Sequence, residues 1–472
     1  MAKNDQMLEM INLLNQLLGK GRVISDQTSM IIYARDIFMP GFIDLRQGKI
    51  PDLPSAVCYP ETSQEVAKII SRARENQVPI IAFGAGSGVL GGTIPRDNEI
   101  IIDLKRMRKI RGINKINHTV EVEAGAMGED LERALNREGF TLGHFPSSIY
   151  CSTIGGWLST RSAGQFSAKY GKIEDLVISL EGVLADGSIF HTRKTPRSAT
   201  GPDLDQILVG SEGTLGIITS ALLAISPLPE KRFYRGFGFA DVKTGLEAMR
   251  VLMQKELTPA VLRLYDPIDT GFNKTKLKGP DSGCLLVAGY EGANNELTEL
   301  KARLGFQKLK ETGGADLGEE PGLKWLEHRY AVSYNQSKIL AQPNTLLDTI
   351  EVSVIWKDAL ELYQKALPGI GKLGLAMAHF SHAWPEGVCI YFSFVVSDSD
   401  PEKLREKHLQ AWQEAMESCL SIGASISHHH GIGLFRAEWL KKELGAGHEI
   451  LRKLKKEIDQ GLILNPGKLG LS

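Results

Sequence analysis

The chain has 472 residues, of which 42% are hydrophobic and 24% are charged, with a formal net charge of −1. These values are typical of a globular protein long enough for two domains or more. The sequence has no block of basic residues that would indicate nucleic-acid binding. No apolar run approaches the length of a membrane-spanning helix. The five cysteines show no C-x-x-C spacing, which disfavours an iron–sulfur cluster, a zinc ribbon or a disulfide framework and fits a reducing cytoplasm.

The N-terminal segment, residues 1–49, is predicted to be helical and extended. Leu8, Ile11, Leu14 and Leu18 recur at helical spacing, which predicts an amphipathic helix. Acidic residues interrupt the apolar run and no small-residue cleavage site follows it. The segment therefore does not have the pattern of a signal peptide.

Residues 50–228 alternate predicted strands and helices. The predicted strands are "SAVCYP", "PIIAF", "EIIIDL" and "HTVEVEAG". The segment "TSQEVAKIISRARENQ" predicts a helix capped by Thr62 or Ser63, and "MGEDLERALNREG" predicts a helix that ends at Gly139. This alternation is typical of an α+β or α/β domain.

A first glycine-rich loop, "FGAGSGVLGGT", follows one of these strands. Gly86, Gly88 and Gly91 match G-x-G-x-x-G, the fingerprint of a Rossmann phosphate turn. A Rossmann domain needs a helix directly after the loop, but Pro95 and the polar residues behind it leave too little room before the next strand. The loop is therefore either a tight turn or a cradle whose bare backbone N–H groups bind a phosphate.

Two further glycine loops follow, within residues 144–177 and 210–219. The second loop sets Gly155 and Gly156 among several serine and threonine hydroxyls, which suit a nucleotide with many polar atoms. The third loop, "GSEGTLGIIT", has the same character. Three such loops in one domain indicate a nucleotide site more strongly than one loop does.

The segment "SPLPEKR" at 226–232 marks a domain boundary. Beyond it, "RFYRGFGFA", "TGLEAMRVLMQKE" and "AVLRLYD" begin a strand–helix–strand rhythm that predicts a second α+β domain over 229–425. Residues 426–472 are rich in glycine and in chemically active types, so we expect them to pack back against a site.

This C-terminal segment contains His428, His429 and His430 in succession. A histidine triplet is either an incidental loop or an organised turn whose imidazoles exchange protons or bind a metal or a phosphate. The flanking glycines and the helix predicted after the triplet favour the organised turn.

The order of these motifs resembles the FAD-binding domain of the vanillyl-alcohol-oxidase flavoprotein superfamily. The matching motifs, over about residues 50–228, are "FGAGSGVLGG", "EAGA", "STIGGW", "KYGKIEDLV", "VLADG" and "GSEGTLGIIT". The resemblance implies an α+β fold, in which a PCMH-type FAD-binding domain of two α/β subdomains is joined to an α+β cap with an antiparallel sheet. It also implies that the C-terminal tail returns to the FAD site.

The same resemblance implies a set of FAD contacts. FAD is expected to bind non-covalently, because Ser87 stands where covalently linked members often carry a histidine. The pyrophosphate is expected on Gly84, Ala85, Gly86, Ser87 and Gly88. The flavin is expected near Ser147, Ser148, Ser152, Thr153, Thr160 and Arg161, and the ADP half near Glu212, Gly213, Thr214 and Ile218.

The C-terminal half resembles two branches of this superfamily. The D-lactate dehydrogenase and glycolate oxidase branch carries H-A-G-D-G-N-x-H and E-H-G-x-G, which supply metal ligands beside the substrate. Here "HAWPEGVCIY" keeps His382 but has Tyr391 at the second histidine, and His429 replaces the glutamate. Because two ligand positions have changed, we predict no bound metal, although His382 and the triplet could still build a nitrogen-rich site.

The second branch, the alkyldihydroxyacetonephosphate synthases, carries "CIYF", "SHHHG-x-G" and "PA-x-x-RL-x-D", all of which this sequence contains. This resemblance implies that Tyr391 is an acid/base and that Arg329 binds a carboxylate or phosphate. The predicted catalytic residues are Tyr391, His428, His429, His430 and Arg329. Ser147 departs from the synthase pattern, which has an acidic residue there, and Arg263 is expected to be structural, beside Tyr265 or Asp266.

The sequence thus predicts an FAD-dependent enzyme. The first hypothesis is an oxidoreductase that oxidises a small hydroxylated substrate bearing a carboxylate or phosphate and passes the electrons through FAD to an unknown acceptor. The alternative is a flavin-dependent alkyl transferase of the synthase type, with no net redox change. We expect no nucleic-acid partner and no integral membrane segment, and a cytoplasmic location and a homodimer are further expectations.

Overall fold

A computed structural model describes residues 2–49, 51–96, 98–331 and 337–471, and it shows the mixed α and β architecture that the sequence predicts. The helices are α1 (Ala2–Leu18), α2 (Gln27–Tyr33), α3 (Met39–Arg46), α4 (Ser63–Glu75), α5 (Gly128–Arg137), α6 (Ile154–Thr160), α7 (Ser167–Tyr170), α8 (Ile173–Leu176), α9 (Asp205–Leu208), α10 (Val242–Gln254), α11 (Pro267–Leu277), α12 (Asn295–Glu311), α13 (Glu320–His328), α14 (Trp356–Gly371), α15 (Pro401–Ile422), α16 (Ala437–Leu444) and α17 (Ala446–Ile458).

The strands form three larger sheets and one two-stranded ribbon. They are β1 (Val23–Ile24), β2 (Ala56–Cys58), β3 (Ile80–Phe83), β4 (Ile100–Asp103), β5 (Ile110–Asn114), β6 (Thr119–Glu123), β7 (Phe140–Thr141), β8 (Val177–Val183), β9 (Ile189–His191), β10 (Ile217–Ala224), β11 (Ser226–Pro227), β12 (Lys231–Phe239), β13 (Val261–Tyr265), β14 (Cys284–Gly292), β15 (Ala315–Asp316), β16 (Thr345–Ile355), β17 (Leu375–Ala383) and β18 (Gly387–Ser397). Across the described ranges, no helix is long and apolar enough to cross a membrane.

The predicted N-terminal helix is present, but its apolar face differs from the prediction. Met10, Leu14 and Leu18 are buried, whereas Leu8 is 60% exposed. The buried residues recur every four positions and therefore form one stripe, which packs against α4. Leu8 is two positions before Met10, about 200° away around the helix axis, so it faces solvent.

The first sheet has the order β1-β2-β4-β3, with β2, β4 and β3 parallel. The described residues between β3 and β4 form no helix, which confirms that the first glycine loop is not a Rossmann turn. The predicted cap of α4 and the predicted end of α5 are also confirmed. The Thr62 side chain accepts a hydrogen bond from Glu65 N at the start of α4, and Gly139 adopts φ +81 after α5.

The second sheet, β5-β6-β10-β8-β9, is antiparallel throughout and completes the first half of the chain. Its core includes Val120 and Val122 of β6, Leu131 and Leu135 of α5, and Trp157 of α6. Helices α5 and α6 therefore pack on this sheet, and the second glycine loop begins between them and includes α6.

The cap contains one seven-stranded sheet, β15-β12-β14-β13-β17-β18-β16, in which every neighbouring pair is antiparallel. Alternate residues such as Ile390, Phe392 and Phe394 of β18 join the core that α10, α14 and α15 cover. The residues between them, including Tyr391, point to the opposite face. One side of the sheet is thus a helix-covered core. On the other side, Val261, Leu285 and Val287 pack in a second apolar cluster with Trp325 of α13, and the polar residues lie mainly on β16, β17 and β18.

The C-terminal tail returns to the glycine loops, as the resemblance implied. Leu464 forms a parallel bridge with Ile80, and the Asn465 side chain donates to the carbonyl oxygens of Gly92 and Glu212, at 3.1 and 2.6 Å. The buried Lys455 ammonium donates to the Thr214 carbonyl oxygen at 2.8 Å. These contacts tie the end of the chain to the first and third glycine loops.

Candidate active site

The three glycine loops meet at one place. A Cβ atom built on Gly84 would lie 2.3 Å from Oγ1 of Thr153, so the first and second loops approach as closely as a glycine allows. The second and third loops are joined by backbone bonds, from Gly210 N to Leu158 O at 2.9 Å and from Glu212 N to Ser159 O at 3.0 Å. A cradle of bare backbone is what the pyrophosphate and sugar of a dinucleotide require.

The first loop leaves its phosphate-binding positions accessible. Gly84, Ala85, Gly86 and Ser87 are half-buried and Gly88 is exposed, with Gly86 in the left-handed region at φ +65. Beneath the loop, the ammonium of Lys105 donates to the Gly84 carbonyl oxygen at 2.9 Å. The loop is therefore held from below while its outer surface can face a ligand.

The hydroxyl groups of the second loop are largely engaged within the protein. Ser148 donates to Ser152 Oγ at 3.1 Å, and the Trp157 indole N–H donates to the same oxygen at 2.7 Å. Thr153 caps α6 by accepting from Gly156 N at 3.3 Å. These bonds fix the shape of the loop, and direct contact of the same hydroxyls with the flavin stays a prediction.

At the end of α6, Thr160 donates to the Gly156 carbonyl oxygen at 3.0 Å. Arg161 follows in the left-handed conformation at φ +51, and its guanidinium donates to Val209 O and to the Gln206 side chain, at 3.3 and 2.9 Å. Arg161 thus joins the second loop to the segment that precedes the third.

The third loop uses its acidic side chain to hold the tail. The Glu212 carboxylate accepts from Ile432 N at 2.6 Å and from Gly433 N at 2.8 Å. Burial raises the pKa of Glu212 to about 7, against the effect of these two donors. Its side chain therefore binds the C-terminal segment, while Gly213 turns at φ +75 and Thr214 and Ile218 are buried nearby.

The cap contributes the chemically active groups from one face of its sheet. Tyr391 on β18 is paired across the sheet with Glu351 on β16 and with His379 on β17. Arg263 on β13 shares this face, because Leu262 and Leu264 on either side of it belong to the helix-covered core. We call the face that carries Arg263, Glu351, His379 and Tyr391 the site face.

The histidine triplet is an organised turn built around Glu351. Oε1 of this buried carboxylate accepts from the backbone N–H groups of His428, His429 and His430, at 3.2, 3.0 and 2.7 Å. The Arg436 guanidinium donates to both carboxylate oxygens, at 3.1 and 2.5 Å. Burial alone would raise the pKa of Glu351, but the charge of Arg436 holds it well below its usual range.

Only the third histidine of the triplet contacts the tyrosine by a hydrogen bond. His430 Nε2 lies 3.0 Å from the Tyr391 hydroxyl, and Thr349 donates to the same phenol oxygen at 3.3 Å. His430 Nδ1 lies 3.3 Å from Glu351 Oε2, within ion-pair distance although not aligned as a hydrogen bond. Burial raises the pKa of Tyr391 and lowers that of His430, so at neutral pH the phenol is protonated and the imidazole is neutral.

The other two histidines form a second cluster with Cys389. One ligand atom from each of Cys389, His428 and His429 lies within 4.8 Å of the others, and His428 Nε2 is buried without a hydrogen-bond partner among the described residues. A thiol with two imidazoles is a donor set that zinc accepts. The predicted absence of a metal is not tested by this geometry and stays a prediction.

His382 adjoins this cluster in a strained conformation. It sits at a bulge of β17 with φ +53, its Nδ1 lies 2.7 Å from the Ser167 hydroxyl, and its ring centroid is 5.2 Å from those of His428 and His429. A left-handed conformation is uncommon for histidine and is found at turns and functional sites. His382, which is kept from the metal-binding branch, is therefore a neighbour of His429, which stands at the glutamate position of that branch.

Arg329 is not carried by a strand of the cap sheet but lies at the end of α13. Its guanidinium stands 4.8 Å from the ring centroids of Phe145 and Phe166 and 4.5 Å from that of Tyr330. Nη1 is buried without a hydrogen-bond partner among the described residues. The side chain lines a cavity of about 420 Å³ between the two halves of the chain, with Glu132, Phe145, Phe166, Glu291 and Tyr330.

A glutamine connects Arg329 to the second glycine loop. The Gln165 side-chain N–H₂ donates to the Arg329 carbonyl oxygen at 3.0 Å and to the exposed Ser147 hydroxyl at 3.3 Å. Ser147, where the synthases have an acidic residue, is therefore beside the segment that carries Arg329.

Several residues of the site were missed from the sequence. Glu351, Arg436, His379 and Asp269 were not singled out, although each is a polar residue in a largely buried segment. Arg263 was expected to pack with Tyr265 or Asp266. Its guanidinium does lie 5.4 Å from the Tyr265 ring centroid, but its hydrogen bond is to His379.

Three glycine loops without a Rossmann helix, closed by a cap sheet that carries a phenol and an imidazole, define a flavoenzyme. Two family models match the chain: an FAD binding domain over residues 54–193 and the C-terminal domain of FAD linked oxidases over residues 228–469. The chain belongs to the FAD-linked oxidase family, and it is an FAD-binding enzyme.

Its relatives include both kinds of enzyme that the sequence suggested. It is 31% identical to an alkyldihydroxyacetonephosphate synthase of Dictyostelium discoideum, over 94% of this chain and 78% of that protein. It is 31% identical to the uncharacterized FAD-linked oxidoreductase YgcU of Escherichia coli K12, over 97% of both chains. It is also 28% identical to glycolate oxidase subunit GlcD of Bacillus subtilis, over 88% of this chain and 89% of that one.

Solved structures agree with this assignment. A crystal structure of an alkyldihydroxyacetonephosphate synthase superposes with a TM-score of 0.82 at 27% sequence identity, covering 97% of this chain and 84% of that one. The similarity therefore extends over the FAD-binding half, the cap and the tail.

Proposed function

We propose that the protein is an FAD-dependent oxidoreductase that oxidises a small hydroxylated substrate bearing a carboxylate or a phosphate. The observation that carries the proposal is the Tyr391–His430 pair, backed by Glu351, on the site face. The glycolate oxidase relative supports a hydroxy acid as the substrate class. The FAD contacts predicted from the glycine loops are part of the proposal.

In this proposal FAD supplies the acceptor for the hydride that leaves the substrate carbon. The chain's own residues move the proton. The Tyr391 oxygen takes the proton of the substrate hydroxyl while its own proton passes to His430 Nε2. The negative charge of Glu351, next to Nδ1, stabilises the imidazolium that results. The substrate C–O single bond becomes a carbonyl, so one proton and one hydride leave in total.

Arg329 would bind the carboxylate or phosphate of the substrate. Its guanidinium is held between aromatic rings and presents a buried N–H without a hydrogen-bond partner among the described residues, which suits an incoming anion. Transfer of electrons onward from FAD requires an acceptor outside the chain. A cytoplasmic location and a homodimer stay predictions.

The test is anaerobic mixing of the FAD-loaded protein with D-lactate, glycolate and glycerol 3-phosphate, followed by its visible spectrum. Loss of the flavin absorption with one of these substrates is the expected result. The Tyr391→Phe protein with the same FAD content is the matched control and should react slowly. If none of the hydroxylated anions reduces the flavin, the proposal is wrong.

A second candidate is an alkyl transferase of the synthase type, in which a fatty alcohol replaces the acyl group of an acyl-dihydroxyacetone phosphate. The synthase relative and the shared Tyr391, histidine triplet and Arg329 positions favour it. The acyl chain would leave as a fatty acid and the alcohol oxygen would form the new ether bond, without net redox change. Release of fatty acid with the flavin left oxidised would identify this activity.

A further inference from the structure

Arg263 is an arginine without a carboxylate partner on the site face. Its Nη2 lies 2.5 Å from His379 Nε2, and its Nε is buried without a hydrogen-bond partner in the part of the chain that the structure describes. No ion pair involving Arg263 is found in that part either, and the carboxylate that its charge does influence, Asp269, contacts the other nitrogen of the His379 ring. A positive charge is thus held beside the ring of His379, which stacks on Tyr391 at 4.8 Å with an interplanar angle of 13°.

The contact with Arg263 determines the protonation of His379. A guanidinium can only donate hydrogen bonds, so Nε2 must be the unprotonated, accepting nitrogen. The ring proton therefore lies on Nδ1 and points to Asp269 Oδ2, 3.1 Å away. Burial, with the nearby charge of Arg263, lowers the pKa of His379 well below its usual range, which agrees with a neutral ring.

Asp269 is itself fixed on α11. Its Oδ1 accepts from the Asn273 side chain at 2.6 Å, and its backbone N–H donates to the capping residue Asp266 at 2.7 Å. The carboxylate therefore has one oxygen for Asn273 and one for His379. This arrangement selects one ring tautomer, and that tautomer is the one that Arg263 needs.

We propose that Asp269 and His379 are positioning residues that hold Arg263 as a second anion receptor, beside Tyr391. The receptor binds an oxygen-rich anionic group, a carboxylate or a phosphate, through the N–H groups of Arg263 that His379 does not use. The proposal deepens the proposed function, because it assigns part of the substrate recognition to this side of the site. Equilibrium anion binding tests it without any turnover.

The decisive variant is Asp269→Asn. Asn273 donates to the oxygen on its side, so the new amide would turn its oxygen to Asn273 and its N–H₂ group to His379. That donor would force the ring proton onto Nε2, where it opposes Arg263. The swap variant carries both Asp269→Asn and Asn273→Asp, so the two residue types are exchanged. The amide N–H₂ group at position 269 can then donate to the new carboxylate at position 273, and the amide oxygen accepts from His379 Nδ1–H.

The experiment titrates the FAD-loaded protein with oxalate and with inorganic phosphate and follows the visible spectrum of the flavin. It is done at pH 8, because burial raises the pKa of the Asp269 carboxyl to about 7. We expect Asp269→Asn to weaken the binding of at least one anion about 10-fold to 100-fold, the usual scale for a charge-assisted hydrogen bond, and the swap to restore it. FAD content and the melting temperature are measured for every variant.

Arg263→Gln should weaken the binding of the same anion to the same extent. Adding Asp269→Asn to Arg263→Gln should then cause no further loss of affinity. The single variant Arg263→Gln keeps the test open if Asp269→Asn does not fold. Equal anion affinity in the wild type and in Arg263→Gln would overturn the proposal. A folded swap variant that binds the anion no more tightly than Asp269→Asn would also overturn it. If the anions behave as expected while no hydroxylated substrate reduces the flavin, the proposed function fails and this inference stands.

Discussion

Glu351→Gln is the variant that tests the architecture of the site most directly. The side chains of Glu351 and Arg436 are both fully buried, and the carboxylate accepts from Arg436 and from three backbone N–H groups. Removing one charge of a buried pair costs about 3–5 kcal/mol, because the other charge is left uncompensated. Glutamine keeps the volume and one acceptor oxygen, but its N–H₂ group faces a donor of Arg436.

We therefore expect the free energy of unfolding to fall by about 3–5 kcal/mol at pH 7. The measurement is denaturant unfolding with FAD content as a second readout, beside the double variant Glu351→Gln/Arg436→Met, in which the amide oxygen still accepts from the three backbone N–H groups. Because both charges are gone, the double variant should be more stable than the single one. A Glu351→Gln protein within about 0.5 kcal/mol of the wild type, the range of an ordinary surface substitution, would refute the reasoning.

The pH dependence of the free energy of unfolding shows which protonation state of Glu351 stabilises the fold. The pKa of Glu351 is held below its usual value in the folded protein, so its stabilisation is present above about pH 4.5 and is lost as the pH falls through the folded pKa. The difference between the wild type and Glu351→Gln should shrink in acid. A difference that grows in acid would mean that the carboxylate is not the stabilising form.

The other predictions concern single groups. Tyr391→Phe should lower turnover about 100-fold with unchanged FAD content, and full activity would remove it from proton transfer. Arg329→Ala should chiefly raise KM, and an unchanged KM would reject its anchoring role. Burial raises the pKa of Glu212 to about 7, so its contribution to the free energy of unfolding is full below about pH 4.5 and is lost as the pH rises through 7. In Glu212→Gln the free energy of unfolding should no longer show this pH dependence, which is worth up to about 3 kcal/mol. Gly433→Ala should release FAD more readily, because its φ is +56 and a Cβ would lie 2.1 Å from a carbonyl oxygen of the first glycine loop; Gly447→Ala, with no contact under 3.6 Å, is the control.

The parts of the fold that depend on local chemistry could be predicted from the sequence. The cap of α4 at Thr62 and the end of α5 at Gly139 follow from side-chain and backbone preferences within one turn. The exclusion of a Rossmann domain needed only Pro95 and the short distance to the next strand. The organised turn at the histidine triplet was favoured by its flanking glycines for the same local reason.

The partners within the site could not be predicted, because they depend on strand register. Tyr391 meets Glu351 and His379 only after β18 pairs with both β16 and β17, and the local sequence does not specify which strands become neighbours. A signal did exist. Glu351 and His379 are ionisable residues at buried positions of strands rich in apolar residues, which marks a functional or strained position.

The distribution of unfavourable groups also argues for where the chemistry occurs. His382 has a left-handed backbone, Glu351 and Arg436 are charges without solvent, and His428 has a buried nitrogen without a hydrogen-bond partner in the described chain. Each feature costs free energy that an apolar core residue would not cost. They occur together, on the site face and in the turn that packs on it, whereas the helix-covered face of the same sheet is mainly apolar and its buried Asp348 is paired with His408 at 2.8 Å. A fold that needed this sheet only for stability would have no reason to concentrate such costs on one side, so the arrangement supports the proposed location of the reaction.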